Sequence, residues 1–109
     1  MTFADAPQHP TILVVEDDGG LNRLICRMLR RAGFAVVAIH RGEDAMAALA
    51  DVEDPLLLLD YRLPDMSAEQ LVDQLNGASL PFVLMTGNGD ERTAVRMMRR
   101  GARGYLIKD

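Results

Sequence analysis

The strongest constraint on the fold is a strict alternation of short apolar runs with segments of helical periodicity. Five runs have the length and apolar content of strands: TILVV at 11–15, FAVVAI at 34–39, PLLLLD at 55–60, FVLMT at 82–86 and GYLIK at 104–108. Four segments between them carry apolar residues at helical spacing: 21–29, 42–52, 67–77 and 88–100. This alternation predicts an α/β fold with a parallel sheet and helices on both faces.

Several of the predicted helices have recognisable end signals. Gly33 follows the first helical segment and is typical of a C-terminal stop. Ser67 and Gln70 form a capping box at the start of the third helix, and Asn88 or Asp90 can cap the fourth. Arginines cluster around the fourth helix, where we favour a solvated face over a partner surface: Arg96, Arg99, Arg100 and Arg103.

Length and composition exclude several classes of protein. The 109 residues are 49% apolar and 26% charged, which fits one compact domain. The formal net charge of −4 argues against nucleic-acid binding, and no apolar run approaches the ~20 residues of a membrane span. Residues 1–10 do not resemble a signal peptide, so we expect a flexible arm followed by one domain over 11–109. The single cysteine, Cys26, fits a structural thiol in a reducing cytoplasm.

Polar side chains follow four of the five predicted strands. They are Glu16, Asp17 and Asp18 after the first strand, Asp60 after the third, Thr86 after the fourth and Lys108 after the fifth. The carboxyl ends of parallel strands share one edge of a sheet, and ligands bind there at the topological switch point. We therefore expect these side chains to converge. The second strand ends in Ile39 and His40 and contributes nothing comparable, as expected of an edge strand.

The predicted cluster of carboxylates requires a counter-charge. Two carboxylates ~5 Å apart repel by roughly 3 kcal/mol at an effective dielectric constant of about 20. An oxygen-only site of this kind suits Mg²⁺ and leaves room for a phosphoryl group. Asp60, which follows four consecutive leucines, is then a carboxylate nucleophile held among cations. Lys108 supplies a second positive charge, and it is the single lysine beside eleven arginines.

Each of these residues also has a purely structural explanation. Asp17 and Asp18 could cap the first helix, and for Asp18 we favour that role. Asp60 could open a turn, although a turn carboxylate rarely follows four buried leucines. Thr86 alone would be an ordinary strand residue, and Lys108 alone a solvated charge. The combination is more specific than its members.

Four motifs in the same order and spacing resemble the receiver domain of two-component response regulators: ILVVEDD, LLLLDYRLPDMS, VLMTGNGD and GARGYLIKD. The resemblance runs from Thr11 to the end of the chain, and residues 60–109 look most similar to receivers associated with hybrid sensor histidine kinases. It implies a flavodoxin-like (βα)5 fold with strand order 2-1-3-4-5. The usual fifth helix is absent from this sequence, and no output domain is present.

The resemblance also implies roles for individual residues. Asp60 would be the phosphoacceptor, and the donor would be a phosphohistidine on a sensor kinase or phosphotransfer protein. Glu16, Asp17, Asp60 and the backbone carbonyl of Arg62 would bind Mg²⁺. In the same comparison, Lys108 would pair with the phosphoryl group.

Two further residues would form a switch. Thr86 would be its hydroxyl and Tyr105 its aromatic side chain. The sequence departs from the family pattern at Ala68, where many members have glycine, and at Asp109, where many have proline after a cis peptide bond.

The sequence therefore predicts a phosphorylatable signalling domain that passes a kinase signal to a partner outside this chain. It predicts neither nucleic-acid nor membrane binding, no separate enzymatic substrate, and leaves dimerisation open. The alternative is a receiver-like module that binds its partner without phosphorylation. A Mg²⁺-dependent phosphohydrolase on a similar fold is disfavoured, because Arg62 stands where a second carboxylate would be needed.

Overall fold

The structure, a computed structural model, describes residues 10–75, 80–87 and 90–108, in which five strands alternate with four helices as predicted. The strands are β1 (Thr11–Val15), β2 (Ala35–Ile39), β3 (Pro55–Asp60), β4 (Phe82–Gly87) and β5 (Gly104–Lys108). The helices are α1 (Gly19–Arg31), α2 (Gly42–Leu49), α3 (Ala68–Gln74) and α4 (Glu91–Arg99). No described helix has both the length and the apolar character that crossing a membrane requires.

All five strands are parallel, in the order β2-β1-β3-β4-β5. This is the flavodoxin-like order that the resemblance implied, and β2 is an edge strand as predicted. The register aligns the strand ends: Val15 of β1 is paired with Leu59 of β3, and the next residue, Asp60, is paired with Met85 of β4. The polar residues that follow or end β1, β3 and β4 are therefore brought to one edge of the sheet.

The sheet is covered on both faces, which explains the uninterrupted apolar runs of its strands. One core cluster includes Leu13, Leu59 and Leu84 and packs against α2, α3 and α4. The other cluster lies on the α1 face and includes Val14 and Met85. The last four residues of β3 are all buried, so the apolar run before Asp60 is the strand buried on both faces that the sequence predicted.

Helix α1 has the end signals that its sequence predicted. Asp18 is its N-cap, and the carboxylate accepts a hydrogen bond of 3.1 Å from the backbone N–H of Leu21. This confirms the capping interpretation of Asp18. The helix begins at Gly19, two residues before the first apolar position of its pattern. It ends before Gly33, whose φ of 99° lies in the left-handed region that favours glycine.

Helix α2 is shorter than predicted. Helix α2 ends at Leu49 and not at Val52. Acidic residues follow it at 51, 53 and 54, and negative charge at a helix C-terminus opposes the helix dipole. The capping box of α3 is confirmed, with Ser67 accepting from the Gln70 N–H at 3.1 Å and donating its own N–H to Gln70 at 2.8 Å. Helix α3 ends at Gln74, and its predicted end at residue 77 lies outside the described residues.

Helix α4 begins at Glu91 and ends at Arg99, with Arg100 as its C-cap. Asp90 is the N-cap residue, but its side chain makes no capping hydrogen bond within the described part of the chain. Its φ of −95° and ψ of 37° are not the extended conformation of most capping residues. The predicted side-chain cap at Asp90 was therefore wrong, and the alternative at Asn88 lies outside the described residues.

Cys26 on α1 is buried, as its interpretation as a structural thiol required. Burial raises the pKa of this thiol, although the positive charge of Arg30 opposes the shift. The Cys26 thiol donates to the side-chain oxygen of Asn22 at 3.2 Å. A buried thiol with a raised pKa is a poor nucleophile, so Cys26 belongs to the packing of α1.

Candidate metal and anion site at the sheet edge

Three carboxylates meet where β1 and β3 end. One oxygen from each of Glu16, Asp17 and Asp60 lies within 4.8 Å of the others. Glu16 and Asp60 are buried, with 0% and 5% of their surface exposed, whereas Asp17 is exposed. Burying ionised carboxylates side by side is costly unless positive charge balances them. The predicted convergence of these residues is confirmed, and the cluster needs cations.

One of those cations is Lys108, at the end of β5. Its ammonium nitrogen lies 2.7 Å from Oε1 of Glu16 and 3.2 Å from Oδ2 of Asp60. Partial burial alone would lower the pKa of Lys108, but its bonds to the two carboxylates outweigh that effect and raise it. The single lysine of the sequence therefore sits between two of the three predicted ligands, as a charged group.

Asp17 shows that one ammonium does not balance the cluster. Its pKa is raised, first by a hydrogen bond with Glu16 and then by burial and by the like charge of the same neighbour. A raised pKa means that the surroundings disfavour the ionised form of this carboxylate. A divalent cation bound here would favour the ionised form, because metal ions bind deprotonated ligands. The donor set is all oxygen, which is the set that Mg²⁺ prefers. The three carboxylates fit such an ion.

The proposed switch residues lie on the β4–β5 side of the site. Thr86, in β4, is 2% exposed, and Tyr105, in β5, is 45% exposed. Their strands are parallel, with Thr86 paired to Ile107 and Leu84 paired to Tyr105. Residues two apart on neighbouring strands point to the same face, so Thr86 and Tyr105 project from one face of the sheet.

Arg62 lies in the loop between β3 and α3, two residues after Asp60. Its backbone is bridged to that of Ser67 across this loop, and its side chain is exposed. The loop is fastened to α2 by Asp65, whose two carboxylate oxygens each accept a backbone N–H at 2.9 Å, from Gly42 and Glu43. These two hydrogen bonds lower the pKa of Asp65. Asp65 thus caps α2 from a distant part of the chain.

A second positioning group is Asn22 on α1, which is fully buried. Its amide nitrogen donates to the backbone carbonyls of Val14, Glu16 and Ile39, at 3.2, 2.9 and 3.0 Å. These three carbonyls belong to the ends of β1 and β2 and to the first acidic residue. Asn22 therefore fixes the backbone that presents Glu16.

Sequence reasoning missed both Asp65 and Asn22. The need for Asp65 could have been recognised at the start of α2. The residue before this helix is Arg41, which makes no side-chain cap in the described structure. A helix start without its own cap needs an acceptor from elsewhere. The only sign in the sequence that Asn22 is buried was its place in α1, where a polar residue stands at a position that helical spacing assigns to the apolar face.

The sequence model described as the response regulator receiver domain matches residues 12–109. Among curated proteins, the chain is 36% identical over 103 residues to the phosphate regulon transcriptional regulatory protein PhoB of Rhizobium meliloti. It is 35% identical over 101 residues to the transcriptional regulatory protein FixJ of the same organism. These matches cover 91% and 90% of this chain but 45% and 49% of the relatives, so the chain spans less than half of their length.

Solved structures are similar throughout the domain. The crystal structure of FixJ-N superposes with a TM-score of 0.82 at 32% identity, covering 94% of this chain and 83% of that chain. The crystal structure of NtrX from Brucella abortus gives a TM-score of 0.85 at 30% identity, covering 93% of this chain and 23% of that chain. Together with the strand order and the acidic cluster, these matches lead to one conclusion: the chain belongs to the response regulator receiver domain family of two-component signalling.

Proposed function

We propose that this domain accepts a phosphoryl group on Asp60, in a Mg²⁺-dependent reaction, from a phosphohistidine of a sensor kinase or phosphotransfer protein. The observation that carries the proposal is the contact of the Lys108 ammonium with both Asp60 and the buried Glu16. Because of this contact, a compact cation lies beside Asp60 and within a cluster of carboxylates that fits a divalent ion. The reaction would take place in the cytoplasm.

The chemistry follows from these groups. An oxygen of Asp60 attacks the phosphorus, and the new O–P bond forms as the donor's P–N bond breaks and its electron pair returns to the imidazole. Asp60 is buried in a low-dielectric site where fixed charges act strongly. Lys108 pairs with a phosphoryl oxygen and thereby gives up part of its contact with Asp60. Bound Mg²⁺, held by Glu16, Asp17, Asp60 and the Arg62 carbonyl, would neutralise charge on the incoming phosphoryl group.

Thr86 and Tyr105 would transmit the phosphorylation of Asp60 to the surface of the domain. A phosphoryl group on Asp60 adds acceptor oxygens near the end of β4, and the Thr86 hydroxyl can turn toward them. Tyr105, now 45% exposed on the same face of the sheet, could then rotate inward, and α4 would present a changed surface. Two states separated by a few kcal/mol and biased by one modification are sufficient for signalling. A partner or an output domain would read the change.

The test is incubation with Mg²⁺ and a small phosphodonor, followed by intact mass measurement. We expect one phosphoryl group to be added to the parent protein, and none to Asp60→Asn. Asp18→Asn is the matched control, because Asp18 caps α1 and asparagine caps equally well. Undiminished labelling of Asp60→Asn would place the acceptor elsewhere. Partner binding by a protein that takes no phosphoryl group would favour a receiver-like module that signals without phosphorylation.

A further inference from the structure

The residue that follows the proposed phosphoacceptor belongs to a polar network that reaches helix α4. Its members are Tyr61, Glu69 and Asp73 from β3–α3, and Arg96 and Arg100 from the α4 region, and we call them the Tyr61–Arg96 network. The Tyr61 hydroxyl donates to Glu69 at 3.0 Å and accepts from Arg96 at 2.9 Å. One hydroxyl therefore joins an acid on α3 to a base on α4.

Charged groups reinforce this link. The Arg96 Nε donates to both carboxylate oxygens of Glu69, at 3.1 and 3.2 Å. The Arg100 Nε lies 3.1 Å from Oε2 of Glu69, and the Arg100 guanidinium also pairs with Asp73. The Arg96 guanidinium carbon lies 6.0 Å from the centroid of the Tyr61 ring, at the limit of a cation–π contact. Two arginines of the predicted solvated face thus form ion pairs with α3.

Glu69 is the centre of the network and is the best shielded of its charged members. Its side chain is 21% exposed, against 49% for Arg96 and 38% for Arg100. Partial burial alone would raise the pKa of Glu69, but the hydrogen bonds from Tyr61 and Arg96 and the charge of Arg100 lower it. Isolated exposed ion pairs contribute little, but a shared, partly buried acceptor makes the contacts interdependent.

The Tyr61–Arg96 network is also tied to the main chain beside Asp60, through the backbone of Tyr61. The Tyr61 N–H donates to the carbonyl of Met85 at 3.0 Å, and its carbonyl accepts the N–H of Ala68 at 2.7 Å. The main chain of Tyr61 is therefore fixed between β4 and the start of α3, one residue from Asp60. Its side chain contacts α4 through Arg96. A displacement of α4 that carries Arg96 beyond reach of the Tyr61 hydroxyl would break this contact.

We propose that Tyr61 and Glu69 are positioning residues that hold α4 in the position seen here, so that the network opposes the phosphorylation-dependent change in α4. This inference rests on the proposed function and adds to it a second connection between the site and α4, separate from Thr86 and Tyr105. It also assigns a role to the side chain that follows the phosphoacceptor.

The test uses Tyr61→Phe, which removes the joining hydroxyl and keeps the ring. The matched control is Arg99→Gln, because Arg99 lies on the same helix and makes no ion pair among the residues that the structure describes. Amide hydrogen exchange is measured by NMR in the unphosphorylated protein. We expect exchange of the α4 amides to accelerate about fivefold in Tyr61→Phe, as for loss of one hydrogen bond of ordinary strength, and to be unchanged in Arg99→Gln.

A second measurement separates positioning from simple loss of stability. The α4 amide chemical shifts of unphosphorylated Tyr61→Phe should lie part of the way along the line from the unphosphorylated to the phosphorylated parent. Glu69→Gln should act in the same direction, and the double variant should exceed the larger single effect by less than twofold because both changes disable one network. The α1 amides should be unaffected in each variant.

The outcomes distinguish this inference from the proposed function. If Tyr61→Phe and Arg99→Gln give the same α4 exchange and shifts, the network does not hold α4 and the inference is overturned. Additive effects of Tyr61→Phe and Glu69→Gln would also overturn it, since they would show two independent contacts. If the parent takes no phosphoryl group at all, the proposed function fails, while the exchange data still decide whether Tyr61 restrains α4.

Discussion

Replacing Asp17 by asparagine should stabilise the protein in the absence of Mg²⁺ while weakening its binding of Mg²⁺. The oxygens of Glu16, Asp17 and Asp60 lie within 4.8 Å of one another. Two unit charges at that distance repel by about 3 kcal/mol at an effective dielectric constant of about 20. Because Asp17 is exposed and Lys108 balances part of the charge, solvent screening reduces the expected gain in unfolding free energy to about 1 kcal/mol.

The assay is thermal and urea unfolding at neutral pH, with and without Mg²⁺. Without the ion, a gain of this size should raise the Tm of Asp17→Asn by about 4 °C, the shift typical of a domain near this length. With the ion, the parent gains stability by mass action and the variant gains less, because it has lost one charged ligand. The difference between the two proteins should therefore shrink or reverse as Mg²⁺ is added.

The effect of Asp17 should also depend on pH, and its sign can be worked out. The pKa of Asp17 is raised in the folded protein, mainly by its hydrogen bond with Glu16. A carboxyl group whose pKa is raised by folding costs no stability below its unfolded pKa of about 3.9. The cost develops as the pH rises and is complete above the folded pKa. The advantage of Asp17→Asn should accordingly be absent near pH 3 and present at pH 7.

Asp18→Asn provides the control at the adjacent position. Asp18 caps α1 by accepting the Leu21 N–H, and asparagine is an equally good cap. This variant should leave both unfolding free energy and Mg²⁺ response near those of the parent. If Asp17→Asn is less stable than the parent without Mg²⁺, or if it retains the full stabilisation by Mg²⁺, the reasoning about charge repulsion in the site is refuted.

Three further predictions concern other parts of the domain. Lys108→Arg should be phosphorylated on Asp60 only in part, because a planar guanidinium cannot occupy the position of an ammonium. It should also lose the changes in α4 amide chemical shift that a phosphoryl mimic causes in the parent. Chemical-shift changes equal to the parent's would show that any cation suffices. Thr86→Ala should still be phosphorylated but lose most of the response at Tyr105, as read by its ring signals, and an unchanged response would exclude this coupling. Gly42→Ala should lower the unfolding free energy by about 1–3 kcal/mol, since an added Cβ would lie 2.6 Å from Cγ and Sδ of Met66. The double variant with Met66→Ala should lose less unfolding free energy than the sum of the two single variants, because the smaller side chain removes the clash. Strict additivity would contradict the steric explanation.

The fold and most of the site could be predicted from the sequence because the governing signals are local. A strand covered on both faces must be apolar throughout, so PLLLLD is recognisable without knowledge of its neighbours. Parallel pairing then brings strand ends together, and Glu16, Asp60 and Lys108 meet as expected. Helix ends were predicted less well, as the early end of α2 shows and as does Asp90, whose side chain makes no capping hydrogen bond to the described residues of α4.

What the sequence did not predict depends on contacts between distant segments. Asp65 caps α2 across a separation of 23 residues, and Arg96 reaches Tyr61 across 35. No periodicity records such pairs, because each side chain alone fits an ordinary surface position. The arginines of α4 were interpreted as a solvated face for that reason. Only the packing of α3 beside α4 shows that Arg96 and Arg100 share the carboxylate of Glu69.

The three hydrogen bonds of Asn22 have a mechanical consequence for the domain. They join α1 to the ends of β1 and β2, and so make residues 11–39 a stiff unit that carries two of the three carboxylates. Thr86, Tyr105 and the Tyr61–Arg96 network all lie outside that unit. Glu16 and Asp17, two of the three acids that would bind the ion, thus belong to a part of the domain that need not deform, while the proposed signal would pass through the opposite half. Phosphorylation of Asp60, as proposed, would then displace α4 without distorting the backbone that presents Glu16 and Asp17.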